Sequence, residues 1–195
     1  WALLRHAART GDAAALRTGQ AALAYEEAGY DSEVDNWPDY REQAPRPWRA
    51  TPPPGTFAAV HAWCHGAPGI GLLRADLPAG VRTPSSDRAL LRAVRSTADA
   101  GQIGDDSLCH GTLGNLELFA AAARAGVDRA RDDHSRTRDA LLAAIEERGP
   151  VCGTPGGIVT PGLMTGLAGI GHGLLRIAAP ERVAPVLLLA PQEAP

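Results

Sequence analysis

The sequence predicts an all-α protein, and three observations carry that prediction. Ala, Leu, Gly and Pro dominate while aromatic residues make up only 5%, a mixture that suits packed helices joined by Gly/Pro-punctuated loops better than a β-sandwich. Apolar residues return at helical spacing in one segment after another. Three segments share a Gly-x-x-Gly core that lies just ahead of or opens an apolar helix. With 45% hydrophobic residues among 195, the chain can supply a buried core.

Two short helices open the chain, over residues 1–9 and 13–28, separated by the breaker Thr10-Gly11-Asp12. Residues 29–55 carry no helical pattern and are rich in Asp, Pro and Trp, including Asn36-Trp37-Pro38-Asp39 and Pro52-Pro53-Pro54, so a long loop is expected. Helical signal resumes over 57–62 and, after a glycine-rich turn, over 70–76. Ser86 or Asp87 is then expected to cap a helix that ends near Gly101, with Leu90, Leu91, Val94 and Ala98 on one face. Further helices are expected over 113–125, over 135–148 with Leu141, Leu142 and Ile145 as the apolar stripe, and over 163–178, stopped by Pro180.

The recurring units are His65-Gly66-Ala67-Pro68-Gly69-Ile70-Gly71, His110-Gly111-Thr112-Leu113-Gly114-Asn115 and Thr165-Gly166-Leu167-Ala168-Gly169-Ile170-Gly171. Their leading glycines, at 66, 111 and 166, lie 45 and 55 residues apart. That spacing holds two helices and two loops, so helix pairs stacked side by side are expected. Glycine there permits a turn with positive φ and close approach of a neighbouring helix or a ligand; tight helix packing alone would account for it equally well.

Bulk properties narrow the function. Nineteen basic and 22 acidic residues give a formal charge of -3 with no long block of either sign, which argues against nucleic acid as a partner. The longest apolar runs, such as 186–190 and 119–123, are too short to cross a bilayer, and no secretion signal opens the chain. Three cysteines do not form a disulfide framework, so a cytoplasmic location is expected. Trp1 falls inside an apolar helical pattern with no initiator Met or N-cap before it, so the chain is expected to be a fragment of a longer one.

Two of the three units carry an added feature: Trp63-Cys64-His65-Gly66 and Leu108-Cys109-His110-Gly111 each place Cys-His-Gly just before a helix. Equivalent positions in stacked repeats sit at one level, so cysteines remote in sequence can converge, and thiolates with imidazole suit zinc. Two Cys and one His leave a tetrahedral ion one open position, as in catalytic sites. The spacing is not that of a zinc finger. A cysteine-protease arrangement is disfavoured because each Cys and His are sequence neighbours.

These residues resemble the lanthionine synthetase C-like cyclases, and more narrowly the C-terminal cyclase domain of class II lanthipeptide synthetases. The likeness rests on Asn36-Trp37-Pro38-Asp39, on Ala62 to Gly71, on Cys109 to Asn115 and on Gly162 to Gly171, and covers nearly the whole chain. The resemblance implies an α/α toroid, of which residues 1–195 would supply roughly the C-terminal half. An upstream cyclase half and a dehydratase domain would complete the protein. It implies Cys64, Cys109 and His110 as ligands of Zn²⁺. The implied reaction is addition of a cysteine thiol of a dehydrated precursor peptide to dehydroalanine or dehydrobutyrine, which closes a thioether ring. His65 is the candidate acid for protonating the resulting α-carbon, with a packing role as its alternative. An arginine that some relatives carry four residues before the first cysteine is absent, the position being Val60.

His172 is expected to be an inner-helix histidine, Cys152 a free thiol, and Glu117 and Asp105-Asp106 solvated or capping carboxylates that could also touch substrate. Two other functions fit the same residues: a zinc protein of this type that binds or adds glutathione, and an inactive structural fragment whose exposed apolar faces invite association.

Overall fold

The computed structural model describes residues 1–39, 60–101 and 103–188. Among them the regular structure is helical, with no strand beyond two isolated bridges, Asp31 to Asn36 and Ala62 to His65. The α-helices are α1 (Ala2–Thr10), α2 (Ala13–Ala28), α3 (Ala67–Ala75), α4 (Pro84–Ala100), α5 (Thr112–Arg124), α6 (Asp128–Arg148) and α7 (Leu167–Ala178). Short 3-10 turns span Ala79–Val81, Pro155–Gly157 and Val186–Leu188. No helix of the described residues is long and apolar enough to cross a membrane.

Local chemistry sets the helix ends. Gly11, at φ 74°, closes α1 in the left-handed conformation, and the Asp12 carboxylate then accepts from Ala14 N and Ala15 N to start α2. Those two bonds hold the Asp12 carboxyl below its usual range. The expected cap of α4 at Ser86 or Asp87 is corrected to Thr83. Its hydroxyl accepts from Ser86 N while Ser86 Oγ accepts from Thr83 N, a capping box, and Pro84 supplies a preset φ at the first helical position.

Other boundaries moved for physical reasons. Helix α6 starts seven residues before Ser135, because Asp133, although buried, is paired with Arg129 and Arg136 one turn away on either side. An apolar stripe is therefore not needed for the first turns. On that helix Leu141 is buried but Leu142 is exposed, and on α4 Leu90 and Val94 are buried while Leu91 is exposed. Helix α7 starts at Leu167 and not at 163, since residues 160–166 repeat the turn that precedes α3 and α5. Of the expected helix over 57–62, residues 57–59 lie outside the described residues and 60–62 are not helical. The loop expected over 29–55 is described only to Asp39 and is non-helical there.

Helices pack in consecutive pairs, α1 with α2, α3 with α4 and α5 with α6, and α3 lies beside α5. The main core is built on Leu72 of α3, Leu90 and Val94 of α4, Leu113, Leu116, Leu118 and Phe119 of α5, Leu141 of α6 and Ile170 of α7. The preceding turns are joined sideways. Cys64 N donates to Cys109 O (3.2 Å), and Cys109 N donates to Met164 O (2.9 Å). Positions 64, 109 and 164 are equivalent in the three units, so one backbone bond per step fixes their common level.

The second glycine of each unit has one cause in all three. A Cβ at Gly69, Gly114 or Gly169 would stand 2.0, 2.2 or 1.8 Å from the carbonyl oxygen of Trp63, Leu108 or Leu163, each six residues earlier. Backbone, not a movable side chain, fills that space. In the later units the turn also closes directly, Thr112 N donating to Asp105 O (3.0 Å) and Leu167 N to Thr160 O (2.8 Å). In the first unit the buried Asn36 carboxamide stands between the equivalent groups: its Oδ1 accepts from Ala67 N (2.8 Å) and its Nδ2 donates to Val60 O (3.2 Å).

Gly114→Ala should therefore destabilise the protein by about 1–3 kcal/mol or more through overpacking. Gly171→Ala, where an added Cβ meets nothing within 4 Å, should raise stability by up to about 1 kcal/mol through helix propensity. Urea unfolding of the two variants checks both signs.

Candidate metal centre

The ladder that levels the three turns decides which side chains meet. Cys64 lies inside the turn closed by Ala62 N to His65 O (3.0 Å) and His65 N to Ala62 O (3.1 Å). Cys109 occupies the same place in the next unit. With their backbones bonded to each other, both thiols project on one side, and His110 joins them. One ligand atom from each of Cys64, Cys109 and His110 lies within 4.8 Å of the others. Two sulfurs and a nitrogen on one tetrahedral zinc ion are separated by roughly 3.5–3.8 Å, so closing the group needs only side-chain adjustment. Cys64 is exposed and the other two are half-buried, which leaves the group open on one side.

His110 is oriented for ligation by Nδ1. Its Nε2 lies 2.7 Å from Gly153 O, and a carbonyl only accepts, so Nε2 carries the hydrogen and Nδ1 keeps its lone pair. Gly153 is itself held by its N–H, which donates to Thr165 O (2.8 Å), tying the third turn to the site. A side chain at 153 would collide with the imidazole, since a Cβ would sit 2.8 Å from His110 Nε2 and 2.5 Å from Ser107 Oγ. Asp105, whose Oδ1 accepts from Ser107 N (2.8 Å), places its other oxygen 3.7 Å from His110 Nε2.

The electrostatics favour a cation. Burial first, then the Cys64 thiol and the Asp105 charge, push the Cys109 thiol from its ordinary value up to about 12. Two thiols and a carboxylate facing one another resist gaining negative charge unless a positive ion neutralises it.

The second histidine of the duplicated motif stands apart. His65 is not in the metal group; its Nε2 is buried and lies 3.5 Å from Asp39 Oδ2. Asp39 is the residue sequence reasoning missed. It closes Asn36-Trp37-Pro38-Asp39, a segment singled out without a role for its acid, and the turn bridged from Asp31 to Asn36 delivers it. The remaining candidates are structural. Glu117 is in a buried ion pair with Arg176 (2.6 and 3.0 Å), Asp106 accepts from Arg148 and from Val151 N, and Cys152 is buried in the main core. The expectation that Glu117 and Asp106 are solvated or capping groups is thus corrected: both are buried and charge-paired. His172 lies on α7 with Nε2 buried and no hydrogen-bond partner, outside the metal group.

Stacked helix pairs whose connecting turns gather two thiols and an imidazole define a helical-repeat protein able to hold a metal ion. The model of the lanthionine synthetase C-like protein family matches residues 1–189, and the chain belongs to that family. No curated protein sequence matches the chain. Membership gives the chain a cyclase-related function of the thioether-forming type.

Because a proton must leave Cys109 for it to ligate, metal affinity should rise as pH is raised from about 6 to about 8, measured by competition with a chromogenic chelator. In the metal-free protein the sign reverses. Cys109 keeps its proton longer when folded than when unfolded, so stability should fall as pH climbs from the ordinary thiol value of 9.0 toward about 12. Gly153→Ala should weaken metal binding by about 10–100-fold, the usual cost of losing a partner behind a ligand.

Proposed function

We propose that the chain is the zinc-dependent ring-closing part of a lanthipeptide cyclase, forming lanthionine or methyllanthionine. The convergence of Cys64, Cys109 and His110 supports this most directly, because two thiolates and one imidazole suit zinc and leave a fourth position. Held by Cys64, Cys109 and His110, a zinc ion would supply the positive charge that lets a peptide thiol ionise near neutral pH. The sulfur adds to the β-carbon of dehydroalanine or dehydrobutyrine, the alkene pair moves onto the α-carbon, and a proton must then be delivered to that carbon.

His65 is the residue proposed to deliver it. It borders the same cleft as Cys64 and is next to that ligand in sequence, which keeps the proton close to the thioether being formed. Asp39, 3.5 Å from its Nε2, positions the imidazole. Neither residue is needed to hold the ion.

The wider setting follows the class II type: a cytoplasmic enzyme acting on a dehydrated precursor peptide, with residues 1–195 as the C-terminal part of the cyclase domain and an upstream half and dehydratase domain elsewhere in the protein. Exposure of Leu167 and Leu175 on α7, with open space at Gly171 between them, supports a toroid in which a further helix packs there.

Cys64→Ala and Cys109→Ala in the full-length protein should each lose bound zinc and cyclise a dehydrated peptide at least about 100-fold more slowly. His65→Asn should retain zinc yet slow ring closure by about 10²–10⁴-fold, the range of general acid catalysis. Metal analysis beside mass-spectrometric thiol alkylation reads both. Zinc kept by both cysteine variants would refute the site.

A further inference from the structure

The cleft that reaches Cys64 and His65 is far larger than a cysteine side chain requires. It has a volume of about 610 Å³ and runs between α2 and α3, past the Asn36–Asp39 turn. Clefts of about 300–1,000 Å³ accommodate molecules well beyond one small side chain. Its walls are apolar: Trp37, Trp63, Ile70 and Leu73, with Tyr25 at the rim. Ile70 and Leu73 are one turn apart on α3, so the apolar wall extends roughly 10 Å along that helix from the turn holding Cys64.

Two features suit this surface to holding a side chain. Trp37 is only 6% exposed and meets Tyr30 edge to face, with ring centroids 5.0 Å apart and 62° between planes, which makes it a fixed wall. Tyr25 is 85% exposed, a large aromatic ring in solvent beside an apolar cleft. The charge is equally informative. Among the described residues Glu26 is the acidic member of the lining, and its Oε1 accepts from Arg74 Nη2 at 2.5 Å. Arg74 is 3% exposed and beyond reach of a ligand. An acidic residue entering the cleft would therefore meet the Glu26 carboxylate, while the guanidinium paired with it stays out of reach.

We infer that this cleft selects peptides in which the reacting cysteine is flanked by a large apolar residue, and rejects an acidic one, with Tyr25, Trp37, Ile70 and Leu73 determining the preference. The inference rests on the cyclase reading for the identity of the ligand as a cysteine-containing peptide. It adds what the residue beside the cysteine must be. Continuity of the cleft with Cys64 commits the occupant to the immediate neighbour of the thiol and not to a distant docking segment.

Isothermal titration of the zinc-loaded full-length protein with acetyl-Leu-Cys-amide and acetyl-Asp-Cys-amide tests it. The leucine peptide should bind at least about tenfold more tightly, the low end of what an apolar pocket discriminates. Leu73→Asp should abolish the difference and Tyr25→Ser should reduce it, with zinc content unchanged; Tyr25→Ser, at an exposed position, keeps the test intact whatever Leu73→Asp does to folding. Equal affinities in the unmodified protein, or a difference that neither variant alters, would overturn the inference. Ring closure of a dehydrated peptide, followed in parallel, separates the two claims. Closure without preference rejects the cleft's role and spares the cyclase; preference without closure does the reverse.

Discussion

Three turns, each ahead of a helix, share one backbone problem: the chain must fold so tightly that the carbonyl of one residue fills the space where a Cβ would stand six residues later. Glycine at 69, 114 and 169 is the solution, and it recurs because the constraint recurs. Once the turns are alike they can be bonded alike, and the N–H of Cys64 and then of Cys109 donates to the equivalent carbonyl of the next unit. This register brings the thiols of Cys64 and Cys109 within hydrogen-bonding reach of each other, with no disulfide between them. Everything chemical in the protein is downstream of that alignment.

The metal group then depends on a third unit that carries no ligand. Met164 accepts the last bond of the ladder, Thr165 holds Gly153, and Gly153 fixes the His110 imidazole through its carbonyl. In this way the unit lacking Cys and His still sets the tautomer of the ligand. Two nearby buried carboxylates are likewise held by fixed partners. Asp106 is neutralised by Arg148 and Glu117 by Arg176, so two buried carboxylates carry pairing partners of their own and do not compete for an ion.

Much of this was legible in the sequence because it is periodic. The helical class, the existence of most helices and the convergence of Cys64 with Cys109 follow from three matching segments, and the equivalence of positions in stacked repeats carries the inference. What stayed hidden was aperiodic. Thr83 capping α4 depends on a reciprocal pair with Ser86 that competes with two other plausible caps. The early start of α6 depends on charge pairing around a buried Asp133, which an apolar stripe cannot report. Asn36 substitutes a side chain for a backbone bond that the other two units make directly, and the Asp39–His65 contact joins segments 26 residues apart through that same turn. Of the two Cys-His pairs, spacing alone could not say which imidazole faces the thiols; Gly153 makes that choice, from a loop with no recognisable motif.

The central claim is that two sulfurs and one nitrogen from adjacent repeats surround a single zinc ion. X-ray absorption at the zinc edge of the loaded protein measures this directly. The account predicts a first shell with two sulfurs at about 2.3 Å and one protein nitrogen at about 2.0 Å, with an exchangeable ligand completing it. A shell without sulfur, or one closed by four sulfurs, would contradict it.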